Sequence, residues 1–333
     1  MAATPALGLL ALERVLITGA SGFIDSRLAE RLGDGGTPVR GVDLATDLKR
    51  EIVAGDVSLP GPWQAAAEGC DVVLHTAAVV SNAATREVSW RINVLGTRNA
   101  LDAAIAAGAK RFVHFSSVRV FGDLGFPDGV DERYPVRADG NAYVDTKVAA
   151  EQVVLQAHAA GEIECVVIRP GDVYGPGSRP WTILPLELIR ANRFVLPARG
   201  RGVFSPVYVD NLLDGVTAAA TAPEAAGQVL TISDGIGVPC REFFGHYYRM
   251  LGKGEPRTLP TLAAVGLAAL PEAAARIGGT QTEYNRTSMR YFARPGTYSI
   301  EKARRLLGYA PKVDLDEGMR RTEAWLREQG LLG

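Results

Sequence analysis

Tyr143 and Lys147 stand four residues apart in the run Tyr143-Val144-Asp145-Thr146-Lys147. That spacing is one helical turn, so the two side chains share a face. A phenol beside an ammonium makes an acid/base pair, because the cation favours the phenolate and draws tyrosine down from its ordinary pKa of about 10. Ser117 lies 26 residues upstream, at the end of an apolar strand, where its hydroxyl can orient a substrate oxygen. Proton transfer by the tyrosine, coupled to hydride transfer by a nicotinamide, interconverts an alcohol and a ketone. With six lysines and ten tyrosines in the chain, chance gives about 0.2 such pairs. A second pair exists, Tyr298 and Lys302, but it follows Pro295-Gly296 with no serine-bearing strand before it, and it reads as the start of a surface helix.

A nicotinamide needs a holder, and residues 18–25 have the form of one. Thr18-Gly19-Ala20-Ser21-Gly22-Phe23-Ile24-Asp25 joins the apolar run Val15-Leu16-Ile17 to a helix with Ile24, Leu28 and Leu32 on one face. In a dinucleotide fold the first glycine makes the turn, the second admits the pyrophosphate, and the third lets helix and sheet approach. Gly19 and Gly22 fill the first two places, and Asp25 stands in the third. Asp43, 24 residues past Gly19 at the end of the next strand, can accept both hydroxyls of an adenosine ribose and would repel a 2′-phosphate. The cofactor expected is NAD rather than NADP. Asp25 is expected to weaken its binding, since two like charges about 5 Å apart repel by roughly 3 kcal/mol at an effective dielectric of 20.

These groups require an alternating scaffold. Candidate strands are Val15–Ile17, Val39–Asp43, Ile52–Ala54, Val72–His75, Phe112–Ser116 and Cys165–Ile168, apolar throughout as strands covered on both faces are. Helical stretches lie between them, notably Val88–Ala107 and Tyr143–Ala159. The order implies an α/β fold with a doubly wound parallel sheet of Rossmann type. After about residue 170 the rhythm changes. A helix is expected around Ile183–Ala191, strands at Val207–Val209 and Val229–Ile232 that rejoin the sheet, and a mostly helical remainder ending in a helix with Leu315, Met319, Thr322 and Leu326 on one side. Residues 1–172 with 203–232 are thus expected to form the cofactor domain, and 173–202 with 233–333 a smaller substrate domain.

The segments TGASGFI (18–24), VDL (42–44), GDV (55–57), LHTAA (74–78), INVLGT (92–97), FSSVRVFG (115–122), YVDTK (143–147), RPGDVYGPG (169–177) and PVYVDNL (206–212) resemble those of extended short-chain dehydrogenases/reductases. The group is that of the epimerases/dehydratases and 3β-hydroxysteroid dehydrogenases. The ending YSIEKARRLLGYAP (298–311) is also similar. The resemblance implies NAD contacts from Gly19, Gly22, Phe23, Ile24 and Asp43, adenine contacts from Asp56 and Val57, and a cofactor wall at Ala77 and Ala78. It implies Asn93 near the nicotinamide ribose and Ser117, Tyr143 and Lys147 as the catalytic set, the last two also touching the cofactor. It implies as well a homodimer through the two long helices. The departure is Asp25, where the group has glycine.

Other residues sort by simple chemistry. His75 ends an apolar strand and reads as a packing residue. His114, His158 and His246 share no ligand spacing with a carboxylate or cysteine, so no metal is expected. Asp210 reads as a helix N-cap. Sugar 4,6-dehydratases of the group carry an acidic pair after the serine-equivalent position; Val118 and Arg119 stand there, which removes that reading. Arginines 179, 190, 193, 199 and 201 could grip a diphosphate or form a solvated face. The apolar run Leu262–Leu270 could line a lipophilic substrate site or form an ordinary core helix. The reading favoured is redox chemistry on a hydrophobic alcohol or ketone, steroid-like or a long-chain 3-oxo acid derivative. The alternatives are a nucleotide-sugar 4-epimerase or reductase, and an NAD-binding protein without catalysis.

Composition sets the outer bounds. The 333 residues, room for about two domains, are 47% hydrophobic and 22% charged, which is ordinary globular chemistry. Thirty-six basic side chains against 37 acidic ones lack the basic excess of a nucleic-acid binder. Three widely spaced cysteines suggest neither disulfides nor zinc, and point to the reduced cytoplasm. The N-terminal stretch lacks a positive region and cleavage pattern, and no apolar run approaches the ~20 residues of a membrane span, so neither signal peptide nor span is expected.

Overall fold

The computed structural model describes residues 12–123, 125–277, 282–283 and 285–332, so most of the N-terminal stretch considered above lies outside the described residues. Seven strands form one parallel sheet: β1 (Val15–Thr18), β2 (Val39–Asp43), β3 (Ile52–Ala54), β4 (Val72–His75), β5 (Arg111–Phe115), β6 (Glu164–Pro170) and β7 (Val229–Ile232). Their spatial order is β7-β6-β5-β4-β1-β2-β3. The apolar runs explain this arrangement. Leu16, Val73, Phe112 and Val167 bury on one face, and Val15, Ile17, Leu74, Val113 and Ile168 on the other, so helices must cover both.

The order reverses at β1, which pairs with β2 on one side and β4 on the other. Ligands of open α/β sheets bind at the carboxyl ends beside such a reversal. Register places Thr18 next to Val42 and His75, so the glycine turn, Asp43 and Thr76 all emerge at one edge. The glycine turn leads into α1 (Phe23–Asp34). The next long helix, α2, is continuous over 86–106, with Thr85 as its N-cap and a π-turn at Arg91–Leu95. It packs against α3 (Ala142–Ala159), which starts at Asn141, whose side chain accepts the N–H groups of Tyr143 and Val144. That cap fixes the first turn of α3 at the same edge of the sheet.

Beyond β6 the chain departs from expectation. The segment at 207–209 does not rejoin the sheet; Pro206–Tyr208 pairs in parallel with Asp172–Tyr174 in a separate ribbon. Gly171 is the cause, because it lets the chain turn out so closely past 205–206 that a side chain there would stand 2.6 Å from the Ser205 carbonyl. Tyr298 is also not at the surface. It is buried against Phe121 and Phe126, and the helix of that region, Glu301–Leu307, begins only after it. The C-terminal helix Leu315–Glu328 buries Met319, Thr322 and Leu326 as its spacing requires. Among the described residues, no helix is long and apolar enough to cross a membrane.

Candidate active site

Gly19 has φ +76°, and a Cβ there would meet the Ala77 backbone at 3.0 Å, so glycine is required on both counts. Gly22 caps α1 without a side chain, leaving the first turn open toward a cavity of about 900 Å³. Amide groups at an uncapped helix start form an anion site. Asp43 accepts the N–H of Ser21 at 2.8 Å and of Leu44 at 2.6 Å, which holds its carboxylate at the mouth beside the turn. Phe23, Ile24, Asp56, Val57, Ala77 and Ala78 line the same cavity. Asn93 stands behind that wall. Its amide exchanges hydrogen bonds with the backbone of Val79 and donates to the Thr146 hydroxyl, so it braces the strand-end loop and α3. The residues present fit a dinucleotide: a glycine cradle, a helix start and a carboxylate at the second strand's end.

Ser117, Tyr143 and Lys147 line the same cavity. β5 delivers Ser117, whose oxygen also accepts the N–H of Arg119 at 3.2 Å. The Lys147 ammonium donates to the Phe115 carbonyl at 2.6 Å. Burial pulls its pKa down to about 8, against the carboxylates of Glu151 and Asp25, which favour the charge. Tyr143 differs from expectation. Burial raises its pKa above the ordinary value, and the opposing influences are a hydrogen bond with Ser117 and the charge of Arg119. Desolvation of the phenolate outweighs its cationic neighbours here.

Arg119 is the group whose part the sequence left unread. It lines the cavity beside Tyr143, 5.5 Å from the ring centre, and 4.8 Å from that of Tyr291. Asp123 binds it in a fork at 3.1 and 2.7 Å, and the Asn82 side chain accepts a third bond at 2.9 Å. Asp172 also lines the cavity and is buried on Arg294 and Tyr291. Its position in the quoted segment 169–177 was the available signal. An acid beside glycine at the end of a buried strand is costly unless paired.

A family model described as NAD dependent epimerase/dehydratase family matches residues 15–233. The chain belongs to that family. Among relatives, the ketoreductase of Stigmatella aurantiaca named for 4-hydroxy-2-methyl-3-oxo-4-farnesyl-3,4-dihydroquinoline-1-oxide is 32% identical, over 92% of this chain and 94% of its own. A 3 beta-hydroxysteroid dehydrogenase/Delta 5-->4-isomerase of Mycobacterium tuberculosis is 31% identical, over 90% of this chain and 86% of its own. Among solved structures, the dTDP-glucose 4,6-dehydratase of Streptomyces venezuelae, with NAD and TYD bound, superposes with a TM-score of 0.76 at 23% identity, covering 96% and 98% of the two chains. At that identity the likeness is one of fold. As a member of the NAD-dependent epimerase/dehydratase family the chain is an NAD-dependent dehydrogenase/reductase of the extended short-chain type.

Within that family frame several side chains fall into place. His75 is a packing residue, bonded to Thr18 at 2.8 Å and Thr97 at 3.0 Å, with burial pushing its pKa down to about 3. Asp210 is not an N-cap. It lies inside the first turn of Val209–Thr221, where it faces Arg27 at 3.6 Å and Arg321 at 3.5 Å and so ties α1 to the C-terminal helix. Arginines 179, 190, 193, 199 and 201 are absent from the cavity wall; all are exposed, and Arg179 pairs with Glu187 at 3.2 Å. The run 262–270 fulfils neither expectation. Helix Thr261–Ile277 buries Ala264 and Ala268 against Met289, while Leu262 and Leu270 are 88% and 70% exposed. The leucines fall on the turn faces opposite the alanines.

Proposed function

We propose that the chain interconverts a hydrophobic secondary alcohol and its ketone, steroid-like or a long-chain 3-oxo acid derivative. The observation that carries this is the far wall of the cavity, built from Trp181, Leu184, Leu188, Phe194, Met289 and Phe292. Arg119 is the one arginine on the described wall, and Asp123 and Asn82 already hold it. A nucleotide sugar needs a free cation for its diphosphate, and the arginines able to supply one lie outside. The names of the ketoreductase and steroid-dehydrogenase relatives support the same class of substrate.

Bound NAD supplies the hydride acceptor, or the donor when reduced. The protein supplies the rest. Tyr143 holds or delivers the proton at the substrate oxygen, Ser117 orients that oxygen, and Lys147 keeps a cation one turn below the phenol. Gly19, Gly22, Phe23, Ile24, Asp43, Asp56, Val57, Ala77 and Ala78 hold the cofactor, with Asn93 bracing its wall.

Turnover with NAD⁺ against steroid alcohols, alkyl β-hydroxy acids and nucleotide sugars tests the reading. Turnover is expected with the first two groups. Turnover with nucleotide sugars alone overturns it. Residues 1–172 and 203–232 act in this reading as the cofactor body, and 173–202 with 233–333 as the substrate body, in a cytoplasmic homodimer. Val88, Trp90 and Leu95 are 37%, 44% and 48% exposed along 86–106, which supports pairing through that helix. Light scattering is expected to give twice 35.4 kDa, and a monomer at micromolar concentration removes the dimer.

A further inference from the structure

Asp25 replaces the family's third glycine, and its surroundings are those of an acid that carries its proton. It is the third residue of α1, 6% exposed, and it lines the cofactor cavity. Its Oδ1 is buried without a hydrogen-bond partner. Its Oδ2 lies against Gly22, where a Cβ on that glycine would come within 2.4 Å.

The Thr76 hydroxyl beside the carboxyl is engaged with the Thr18 carbonyl at 2.5 Å. What hydrogen bonding Thr76 and the Asp25 backbone N–H offer favours the carboxylate, and burial outweighs it. The charged groups facing it come from three directions. Asp43 at the end of β2 repels it, Arg50 attracts it while bonded to the Ala20 carbonyl, and Lys147 of α3 faces it while bonded to the Phe115 carbonyl. None of the three forms an ion pair with Asp25 among the described residues.

We propose that Asp25 is a proton-bearing cofactor-binding residue: NAD binds to the chain whose Asp25 is a neutral acid, so binding above neutral pH takes up a proton. A pyrophosphate at the start of α1 carries two negative charges to a place where a third, ionised and buried, has no ion-pair partner among the described residues. Protonation removes that repulsion. Burial agrees with the geometry, pushing the Asp25 carboxyl up to about 7 before any cofactor is present.

The size of the effect follows from linkage. The cost to binding is the fraction of protein that must first be protonated, a factor of about two at pH 7 and about eleven at pH 8. It grows to about a hundred at pH 9, near the ceiling of roughly two-hundredfold set by two charges about 5 Å apart. The sequence-based expectation of a uniform repulsion is thereby replaced by one that depends on pH. Replacing Asp25 by glycine should tighten NAD binding only about twofold at pH 7, and about elevenfold at pH 8.

Calorimetric titration with NAD⁺ from pH 6 to pH 9 tests this on the wild-type chain, Asp25→Asn and Asp25→Gly, each checked first for an intact thermal transition. The asparagine is neutral at every pH and can donate to Thr76. The wild-type Kd is expected to rise about fifteenfold more than that of either variant between pH 7 and pH 8.5. The comparison matters because Lys147, whose pKa near 8 is held up by Glu151 and Asp25, also loses its charge over this range, at a lower pH in the two variants than in the wild type. Titrations at pH 8 in buffers of different ionisation enthalpy should show about 0.9 proton more taken up per NAD by the wild type than by Asp25→Asn. Parallel pH profiles in wild type and Asp25→Asn, or equal proton uptake, overturn the proposal. If Asp25→Asn fails to fold, Asp25→Gly makes the same comparison, since it restores the family's own residue.

Discussion

Glu151 sits one helical turn beyond Lys147 and is completely buried, with Arg169 as its partner at 2.9 and 2.7 Å and the Ser116 hydroxyl at 2.5 Å. Arg169 is itself 3% exposed; its Nε and Nη2 make the two bonds to Glu151, and its Nη1 has no hydrogen-bond partner. Glu151→Gln keeps volume and one acceptor but removes the charge, leaving a buried guanidinium with its stack over Phe121, at 4.7 Å. Breaking one side of such a pair costs about 3–5 kcal/mol. The retained acceptor should reduce this to about 2–4 kcal/mol, a large share of the roughly 5–15 kcal/mol of a typical domain. Urea denaturation followed by circular dichroism reads the loss directly, and Tm should fall by roughly 5–10 °C. There is also a consequence for the site. The Glu151 charge holds the Lys147 pKa up, so its loss lets that pKa drop below about 8, and a lysine is charged only below its pKa. The alkaline limb of kcat should therefore move to lower pH. Glu151→Leu combined with Arg169→Leu should recover most of the stability, because an apolar pair often replaces a buried ion pair without loss. A single variant within about 0.5 kcal/mol of wild type would refute the reasoning, since it would mean that Arg169 finds another partner at little cost.

Tyr143→Phe keeps the ring and removes the proton carrier, so turnover should fall about 10²–10⁴-fold with NAD binding nearly unchanged; more than about a tenth of the activity remaining in a chemistry-limited assay excludes Tyr143 as the acid/base. The wild type should bind NAD more tightly than NADP by fluorescence titration, and Asp43→Asn should narrow the gap by about tenfold, because it removes the carboxylate a 2′-phosphate would face. Equal binding of both cofactors by the wild type would take Asp43 out of the ribose site. His75 is neutral when folded down to about pH 3, whereas unfolded it gains a proton below about 6.5. Wild-type stability should thus fall relative to His75→Gln by about 1.4 kcal/mol for each pH unit between 6 and 4, as denaturation midpoints will show.

How much of this was readable in advance depends on whether a residue acts through its neighbours in the chain. The strands Val39–Asp43, Ile52–Ala54 and Val72–His75 were legible to the residue, the last as a continuous apolar run buried on both faces and the first two through their β-branched residues. Spacing put Gly19, Gly22 and Asp43 at the ends of β1 and β2 where they line the cavity, and helical periodicity put Tyr143 and Lys147 on one helix lining it too. The failures involve contacts made far along the chain. Pro206–Tyr208 has the composition of a sheet strand, but Gly171 had already turned its partner out of the sheet. Tyr298 looked exposed after Pro295-Gly296, yet Phe121 and Phe126, more than 170 positions earlier, bury it. Helix Thr261–Ile277 was apolar enough for a core, but its small residues, not its leucines, face the protein.

Charge inside the protein was the least legible feature, and it decides how the site behaves. A sequence shows that Lys147 is one turn from Tyr143; it does not show that both are buried. Proximity argues that the phenol should ionise easily, while burial opposes every charge in the site. The structure holds Tyr143 above its ordinary pKa, Lys147 below its own, and Asp25 near neutrality. All three shifts have the same first cause, desolvation, and differ in sign only because acids and bases lose charge in opposite directions. Arg119 then carries more weight than Lys147 in favouring the phenolate, since its guanidinium lies against the ring while the ammonium is turned to the Phe115 carbonyl. The position at which sugar dehydratases place an acid thus holds, in this chain, a cation beside the buried Tyr143 phenol. An acid there would raise the phenol still further, whereas the guanidinium offsets part of its desolvation.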